Sequence, residues 1–326
     1  MTYSFARKLT KVLIAAMSLL SGAAVAEDYP IKPIVLVAPF APAGPTDLIG
    51  RLVAQKLGDS LKQRVVVENR PGAGGTLGAG IVARATPDGY TLLYGSSSTH
   101  AIGPALHQNL TYDPEKSFAP ISLVAMQSLV LLVNPALPIR SIAEFIAYAK
   151  ANPGKLNYGS AGIGTPSHMS ALIFDKMAGI EATHVPYRSG GEAVTALLQG
   201  QIQFNFDTVF TSASHIEANT VRPLAVTSKE RSKALPNVPT VDESGLPGYT
   251  FLLWNGLFAP ANTPQPIVER LHAGIRDMMA TKDVQETFAK YDVAPVGGTP
   301  AEFAALIASE LKKWRTAVPE LGIKTD

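Results

Sequence analysis

Apolar positions along this chain switch repeatedly between two patterns: unbroken runs of five to eight residues, and repeats every three or four. The runs are rich in β-branched residues and read as strands buried on both faces. The repeats read as helices with one apolar face. Residues 31–38, with Ile34-Val35-Leu36-Val37-Ala38 at their end, predict the first strand. A turn from Pro39 to Thr46 follows, then a helix with Leu48, Ile49, Leu52, Val53 and Leu57 at helical spacing and Thr46 or Asp47 placed to cap it. Val65-Val66-Val67 predicts a second strand, Pro71-Gly72-Ala73-Gly74-Gly75 a loop, and the next helix runs to about residue 85. Pro87-Asp88-Gly89 marks a turn, and residues 90–94 a third strand running into Gly95-Ser96-Ser97-Ser98-Thr99-His100.

Residues 122–134 predict a longer strand, stopped by Pro135 and Pro138, and Ser141 with Glu144 forms a capping-box pattern. The logic then repeats. Leu156-Asn157-Tyr158 leads through the loop 159–165 into a helix starting near Ser167 or His168. Residues 183–187 lead through Arg188-Ser189-Gly190-Gly191 into another. Residues 201–207, 221–227 and 249–259 predict further strands, the last returning to the first half of the fold, and helices fill the C-terminal part beyond Pro264. Strands alternating with helices imply mostly parallel sheets whose ligands gather at the strands' carboxyl ends. Tyr94-Gly95-Ser96 and Tyr158-Gly159-Ser160 each close a strand and open a polar loop, as two lobes presenting similar loops would do. Trp254 and Trp314 are read as core or interlobe packing residues.

Composition narrows the picture. The length of 326 residues, 46% hydrophobic content and 17% charged content suit a two-domain globular chain with a large core. Arg7, Lys8 and Lys11, an apolar stretch over 12–20 and Ala24-Val25-Ala26 have the three parts of a secretory signal cleaved after Ala26. Without those 26 residues the count is 25 basic against 26 acidic side chains, which removes the case for a nucleic-acid or anionic-membrane surface. The chain has no cysteine, so export brings neither disulfides nor thiol chemistry. These features point to the bacterial periplasm.

Candidate chemistry is that of binding. The glycine-rich loop over Ala73, Gly74 and Gly75 opens a helix N-terminus, where bare N–H groups suit a small carboxylate. Its glycines miss the dinucleotide spacing, and no Gly-x-Ser-x-Gly elbow or His-x-x-x-His pair occurs. No cofactor, metal or catalytic residue is therefore expected. Ser96, Ser97, Ser98 and Ser160 read as hydroxyl donors to a ligand, and His168 as an orienting or structural imidazole. Alternation along 203–207 puts Asn205 and Asp207 on the face opposite Phe204 and Phe206. An inward Asp207 would ask for an ammonium or hydroxyl donor and repel a second carboxylate. At the next strand-to-loop junction, Tyr187 is preferred over Arg188 as the residue that reaches a ligand.

A series of stretches gives the chain a resemblance covering essentially everything after residue 26. They include Tyr29-Pro30-x-Lys32-Pro33-Ile34, the run from Val65 to Gly75, Pro87-Asp88-Gly89-Tyr90-Thr91-Leu92-Leu93 and Tyr158-Gly159-Ser160-Ala161-Gly162-x-Gly164-Thr165-x-x-His168. His184-Val185-Pro186-Tyr187-Arg188, Leu235-Pro236-x-Val238-Pro239-Thr240 and Trp254-x-Gly256-x-x-Ala259-Pro260 continue it. In this the chain closely resembles the solute-binding proteins of tripartite tricarboxylate transporters, the Bug or TctC family.

The resemblance implies an α/β, two-lobed periplasmic-binding-protein (Venus-flytrap, type II) fold, each lobe a mostly parallel sheet flanked by helices. Residues 1–26 would be the signal peptide, 27–125 plus 252–326 the first lobe and 126–251 the second, with the ligand cleft between them. It implies a monomer that captures a small organic acid and delivers it to membrane permease subunits, with a ligand-presenting sensor subunit or an exported enzyme as the alternatives. Family ligands are held largely through backbone donors and water. The implied regions are Ala43 and Gly44, Ala73 to Gly75, Ser96 to Ser98, and Ser160, Ala161, Gly164 and Thr165. The chain departs from the family's Pro-Phe-x-Pro-Gly-Gly pattern at Ala43, which lacks glycine's freedom, and its Pro45 has no N–H to donate. The first loop is therefore expected to hold its own shape.

Overall fold

The computed structural model describes residues 29–42 and 44–323, with Pro45 described by its backbone only. The expected signal sequence and Ala43 lie outside the described residues. Two sheets share one long strand. The first runs β2 (Val65–Asn69), β1 (Ile34–Ala38), β3 (Thr91–Ser96), β9 (Leu252–Pro260), β4 (Phe118–Val133), β10 (Val293–Pro295). The second runs β8 (Arg222–Val226), β4, β7 (Phe204–Thr208), β5 (Asn157–Ser160), β6 (Thr183–Pro186). β4 changes partners midway: Phe118 to Ser128 pair with β9, and Leu129 to Val133 with β7.

The sheets are mixed rather than mostly parallel. β1 with β2 and β3, and β5 with β6 and β7, pair in parallel; every pairing of β4 and β9 is antiparallel. Strands joined by helical crossovers must run parallel. β4 and β9 are the two passages of the chain between the sheets, and they run opposite ways. β4 explains why residues 118–133 are almost continuously apolar: it is buried along nearly its whole length.

Helices α1 (Pro45–Leu61) and α8 (Gln265–Met279) cover one face of the first sheet, where Ile49, Val53, Leu57, Leu271 and Ile275 join Leu36, Leu92 and Tyr94 in one core. α9 (Lys282–Lys290) adds Val284 and Phe288 to it. On the other face α2 (Thr76–Ala83) and α10 (Pro300–Glu320) contribute Ala79, Val82, Phe303 and Trp314 to a core that continues through Phe145, Phe174 and Phe206 of the second lobe. Trp254 and Trp314 are both core residues.

The short α3 (Gly103–Leu106) follows a π-turn over Ser98–Ile102. α4 (Ile142–Ala151) is capped by Ser141, whose Oγ accepts from the Glu144 N–H. α5 (Pro166–Ala178), α6 (Gly190–Leu198) and α7 (Val209–Glu217) complete the second lobe. The cap of α1 lies two or three residues ahead of the expected one. Gly44 is its N-cap, so Thr46 and Asp47 belong to the first turn. α7, β10 and the π-turn have no counterpart among the sequence expectations, being short or lacking a continuous apolar period.

Candidate functional site

The carboxyl ends of β1, β3, β5, β6 and β7 open toward a single cleft between the sheets. Phe40, Ala41, Gly44, Thr46 and Ser96 line it from the first lobe. Ala161, Thr165, Pro166, Ser167, Arg188, Ser189, Gly190, Phe206, Asp207 and Thr208 line it from the second, and Leu129, Leu253 and Asn255 from β4 and β9. The space is about 690 Å³ with its open mouth included.

Four helices begin at this wall: Gly44 is the N-cap of α1, Thr165 of α5, Ser189 of α6 and Thr208 of α7. The N–H groups of a first helical turn have no partner within the helix, and the helix dipole is positive there. Ser189 and Thr208 each spend their side chain on the N–H of the third helical residue, Glu192 and Thr211. The cleft thus presents convergent backbone donors, with Arg188 as the one basic side chain on its described wall. Such a site receives an anion of carboxylate size without requiring a cluster of lysines or arginines.

Three buried polar atoms on this wall have no hydrogen-bond partner among the described residues: Ser96 Oγ, Asn255 Nδ2 and Asp207 Oδ2. Asn255 Oδ1 accepts from Gln127 Nε2 at 3.3 Å, which fixes the amide with its NH2 unspent. Asp207 Oδ1 accepts from the Thr208 N–H at 2.8 Å. Burial pushes the Asp207 carboxyl up to about 6, against the opposing pull of hydrogen bonds from Thr211 and Thr208. Nine other buried side-chain atoms are unpaired elsewhere among the described residues, so what sets these three apart is that they share one wall with the four helix N-termini, where they are candidate partners for a polar ligand.

Of the residues singled out from sequence, the structure brings Gly44, Ser96, Ala161, Thr165 and Asp207 to this wall. Ala43 lies outside the described residues, and the others stand behind the wall. Ser97 is buried without a partner for its hydroxyl. Ser98 Oγ lies 2.8 Å from the Gly74 carbonyl and 3.1 Å from the Gly164 carbonyl, so it links the two lobes directly. Gly164, at φ +73°, packs so close to Leu106 that a Cβ there would lie 2.6 Å from Leu106 Cδ1. Ala73 and Gly75 form a single 3-10 turn with Gly74. The glycine-rich loop therefore meets the opposite lobe rather than the cleft wall.

Ser160 Oγ is 2.6 Å from His184 Nε2. His184 stacks on His168 at 4.0 Å and on Tyr158 at 5.0 Å. His168 Nδ1 accepts from the Gly164 N–H, so the ring braces the interlobe loop from inside. Burial, with a smaller contribution from His184, pushes His168 down to about 3, and burial pushes His184 down to about 4. Both are neutral packing residues at physiological pH. Tyr187 turns inward against Gly159 and the Val130–Ile202 core, while Arg188, the next residue, faces the cleft. The preference for Tyr187 over Arg188 is thus reversed in placement: both residues follow β6, Tyr187 still held to β5 through its N–H to the Ser160 carbonyl and Arg188 in the bend that leads into α6. Phe40, Thr46, Leu129, Ser189, Gly190, Thr208, Leu253 and Asn255 are wall residues that the sequence did not single out. Ser189 and Thr208 had a readable signal, since each precedes a helix as a capping hydroxyl. Among the described residues no group of His, Asp and Glu is arranged to hold a metal ion, and no helix is long and apolar enough to cross a membrane.

Comparison with known proteins agrees with this fold. The family model of the tripartite tricarboxylate transporter family receptor, TctC, matches residues 49–323. BugT of Bordetella pertussis is 36% identical over 300 residues, covering 92% of each chain. A Rhodopseudomonas palustris protein solved with adipate superposes with a TM-score of 0.88 at 32% identity, over 91% of this chain and 99% of that one. MatC of Rhodopseudomonas palustris, solved with bound malate, gives 0.84 at 34% identity, over 89% of this chain and all of that one.

Proposed function

Because this chain belongs to the tripartite tricarboxylate transporter receptor family, we propose that it captures a small organic acid in the cleft between its lobes and delivers it, unchanged, to the membrane subunits of such a transporter. The observation that carries this reading is the convergence of four helix N-termini on one wall with a single basic side chain, Arg188. That arrangement suits a carboxylate held by backbone dipoles. The adipate and malate bound by the two R. palustris relatives support the ligand class.

On this reading the first 26 residues are removed on export to the periplasm. The working unit is then a monomer of two lobes, residues 27–125 with 252–326 and residues 126–251. The partner exchange along β4 between Ser128 and Leu129 supports a hinge close to that boundary. Closure is favoured by contacts that both lobes make only when shut around the ligand.

Thermal unfolding of the mature protein with a panel of mono-, di- and tricarboxylates, amino acids and neutral sugars tests the proposal. A ligand at about 100 times its dissociation constant adds roughly 2.7 kcal/mol. The expected result is an upward shift with one group of carboxylates and none with sugars, and mass spectrometry should recover the bound acid unaltered. Stabilisation by a sugar alone, or chemical conversion of the acid, overturns it.

A further inference from the structure

Asp207 is the one acidic side chain on the described cleft wall, and it is 5% exposed. One oxygen, Oδ1, is bound to the Thr208 N–H, while Oδ2 has no partner among the described residues. The backbone opposite it is Gly190, where a Cβ would lie 3.3 Å from Oδ1. The bare glycine leaves room beside the carboxylate.

The other polar groups of the wall are donors or can act as donors: the four helix N-termini, Asn255 Nδ2, the Ser96 hydroxyl and Arg188. A ligand carboxylate has ample partners among them. Asp207 is of opposite chemistry, because an ionised carboxylate can only accept. We propose that Asp207 reads a hydrogen-bond donor on the ligand, so that the cleft selects organic acids carrying a hydroxyl or ammonium group over unsubstituted acids of the same length. This rests on the carboxylate-capture reading above and adds to it which carboxylates are taken.

The physical reason is asymmetric. A ligand with a donor pairs Oδ2 and gains a charge-assisted hydrogen bond. An unsubstituted acid of the same size leaves the buried oxygen unpaired and can bring a second negative charge toward it, and both effects oppose binding. At pH 7.5, above the value of about 6 to which burial lifts the group, Asp207 is mostly ionised. The acceptor-only form is therefore the one the ligand meets.

The test is calorimetry at pH 7.5 on protein purified from the periplasm, using matched acids on three skeletons. These are succinate, malate and aspartate; glutarate, 2-hydroxyglutarate and glutamate; adipate, 2-hydroxyadipate and 2-aminoadipate. On every skeleton that binds, the hydroxy or amino acid should bind about tenfold or more tighter than the unsubstituted one, and the two substituted arms tell a hydroxyl from an ammonium reader. Asp207→Asn keeps an acceptor for the Thr208 N–H and replaces Oδ2 by an NH2 donor. Its preference should vanish or turn toward the unsubstituted acid, while an unchanged or higher melting temperature shows that the variant is folded. Equal affinity within each wild-type set, or a preference that survives Asp207→Asn, overturns this inference and leaves carboxylate capture standing. No binding of any acid in a panel widened to monocarboxylates, tricarboxylates and aromatic acids overturns both.

Discussion

Two aspartates of similar depth receive opposite treatment from the chain around them. Asp47, in the first turn of α1, is 2% exposed, and Asp207, at the end of β7, is 5% exposed. Asp47 is enclosed by its partners: Arg51 Nε donates to Oδ2 at 3.0 Å, Asn69 Nδ2 donates to Oδ1 at 2.8 Å, and Arg51 also donates to the Asn69 amide oxygen. Asp207 has the Thr208 N–H on Oδ1 and the Thr211 hydroxyl also favouring its ionised form, while Oδ2 has no partner within hydrogen-bond distance among the described residues. A buried charge costs free energy unless it is paired. The first lobe meets that requirement within the fold, tying α1 to the end of β2, whereas the second lobe leaves Asp207 Oδ2 without a partner among the described residues, the oxygen to which we assign the reading of a ligand's donor. Equal burial therefore goes with a bonding set completed inside the fold for Asp47 and an incomplete one for Asp207, which is the basis of the proposed recognition role.

The largest expected effect abolishes that difference from the second side. In Asp207→Asn without ligand, the charged group disappears and the fold should gain up to about 3 kcal/mol at neutral pH, the equivalent of raising a carboxyl from 3.8 to about 6. The sign follows from proton linkage. The folded state holds the Asp207 proton more tightly than the unfolded state, so wild-type stability falls as pH rises from about 4 to about 6, and the cost is complete above that. Of the groups around it, β4 and β9 carry no charged residue, Glu192 of α6 is bound to the Arg188 backbone N–H, and Arg188 is exposed at the cleft. The variant and wild type should unfold at the same urea concentration near pH 4 and diverge steadily to pH 7. A constant difference across that range would show that Asp207 carries no unpaired charge.

A smaller effect of opposite sign is expected from the first side. Asp47→Ala removes the acceptor of both Arg51 and Asn69 and should destabilise the chain by about 1–2 kcal/mol; the half-exposed Arg51 side chain keeps the loss below that of a fully buried pair. Urea unfolding at pH 7 measures it, and a gain in stability instead would make the two aspartates alike.

How far this contrast was legible in the sequence follows from what each residue's placement depends on. The two-residue alternation along β7 is local, and it was enough to separate Asp207 from Phe204, but not from Phe206, which also lines the cleft wall, while Asn205 lies off it. The strand-end loops were legible for the same reason, since β-branched runs and glycine-rich breaks are local signals. The mixed direction of the sheets was not, because it depends on where β4 and β9 travel between lobes. Nor was the position of the glycine-rich loop. Its glycines suit an anion as well as a close backbone approach, and only the fold shows that Gly74 meets Ser98 and the opposite lobe's loop. Arg188 and Tyr187 are neighbours in the short connection after β6, where no strand or helix period says which of the two turns inward. The pairing of Asp47 with Asn69 joins residues 22 apart and has no sequence period to reveal it.

The smallest effect tests whether the second lobe's incomplete bonding is filled by closure as well as by ligand. Ser98, on the first lobe, holds one hydroxyl proton between the carbonyls of Gly74 and Gly164, the latter on the second lobe. Ser98→Ala removes a net contribution of about 1 kcal/mol, of which only the share directed at Gly164 belongs to the closed form alone, because Gly74 lies on the same lobe as Ser98 and keeps its bond when the lobes part. Affinity should fall equally, and by no more than about fivefold, for every acid that binds, because the hydroxyl lies off the described cleft wall and so does not discriminate among ligands. The change should appear as faster dissociation in stopped-flow fluorescence, with the unliganded melting temperature little altered. A loss confined to one class of acid would place Ser98 beside Asp207 as a ligand-reading group. A uniform loss keeps the division in which Ser98 and Gly164 set how firmly the lobes shut and Asp207 sets what they shut around.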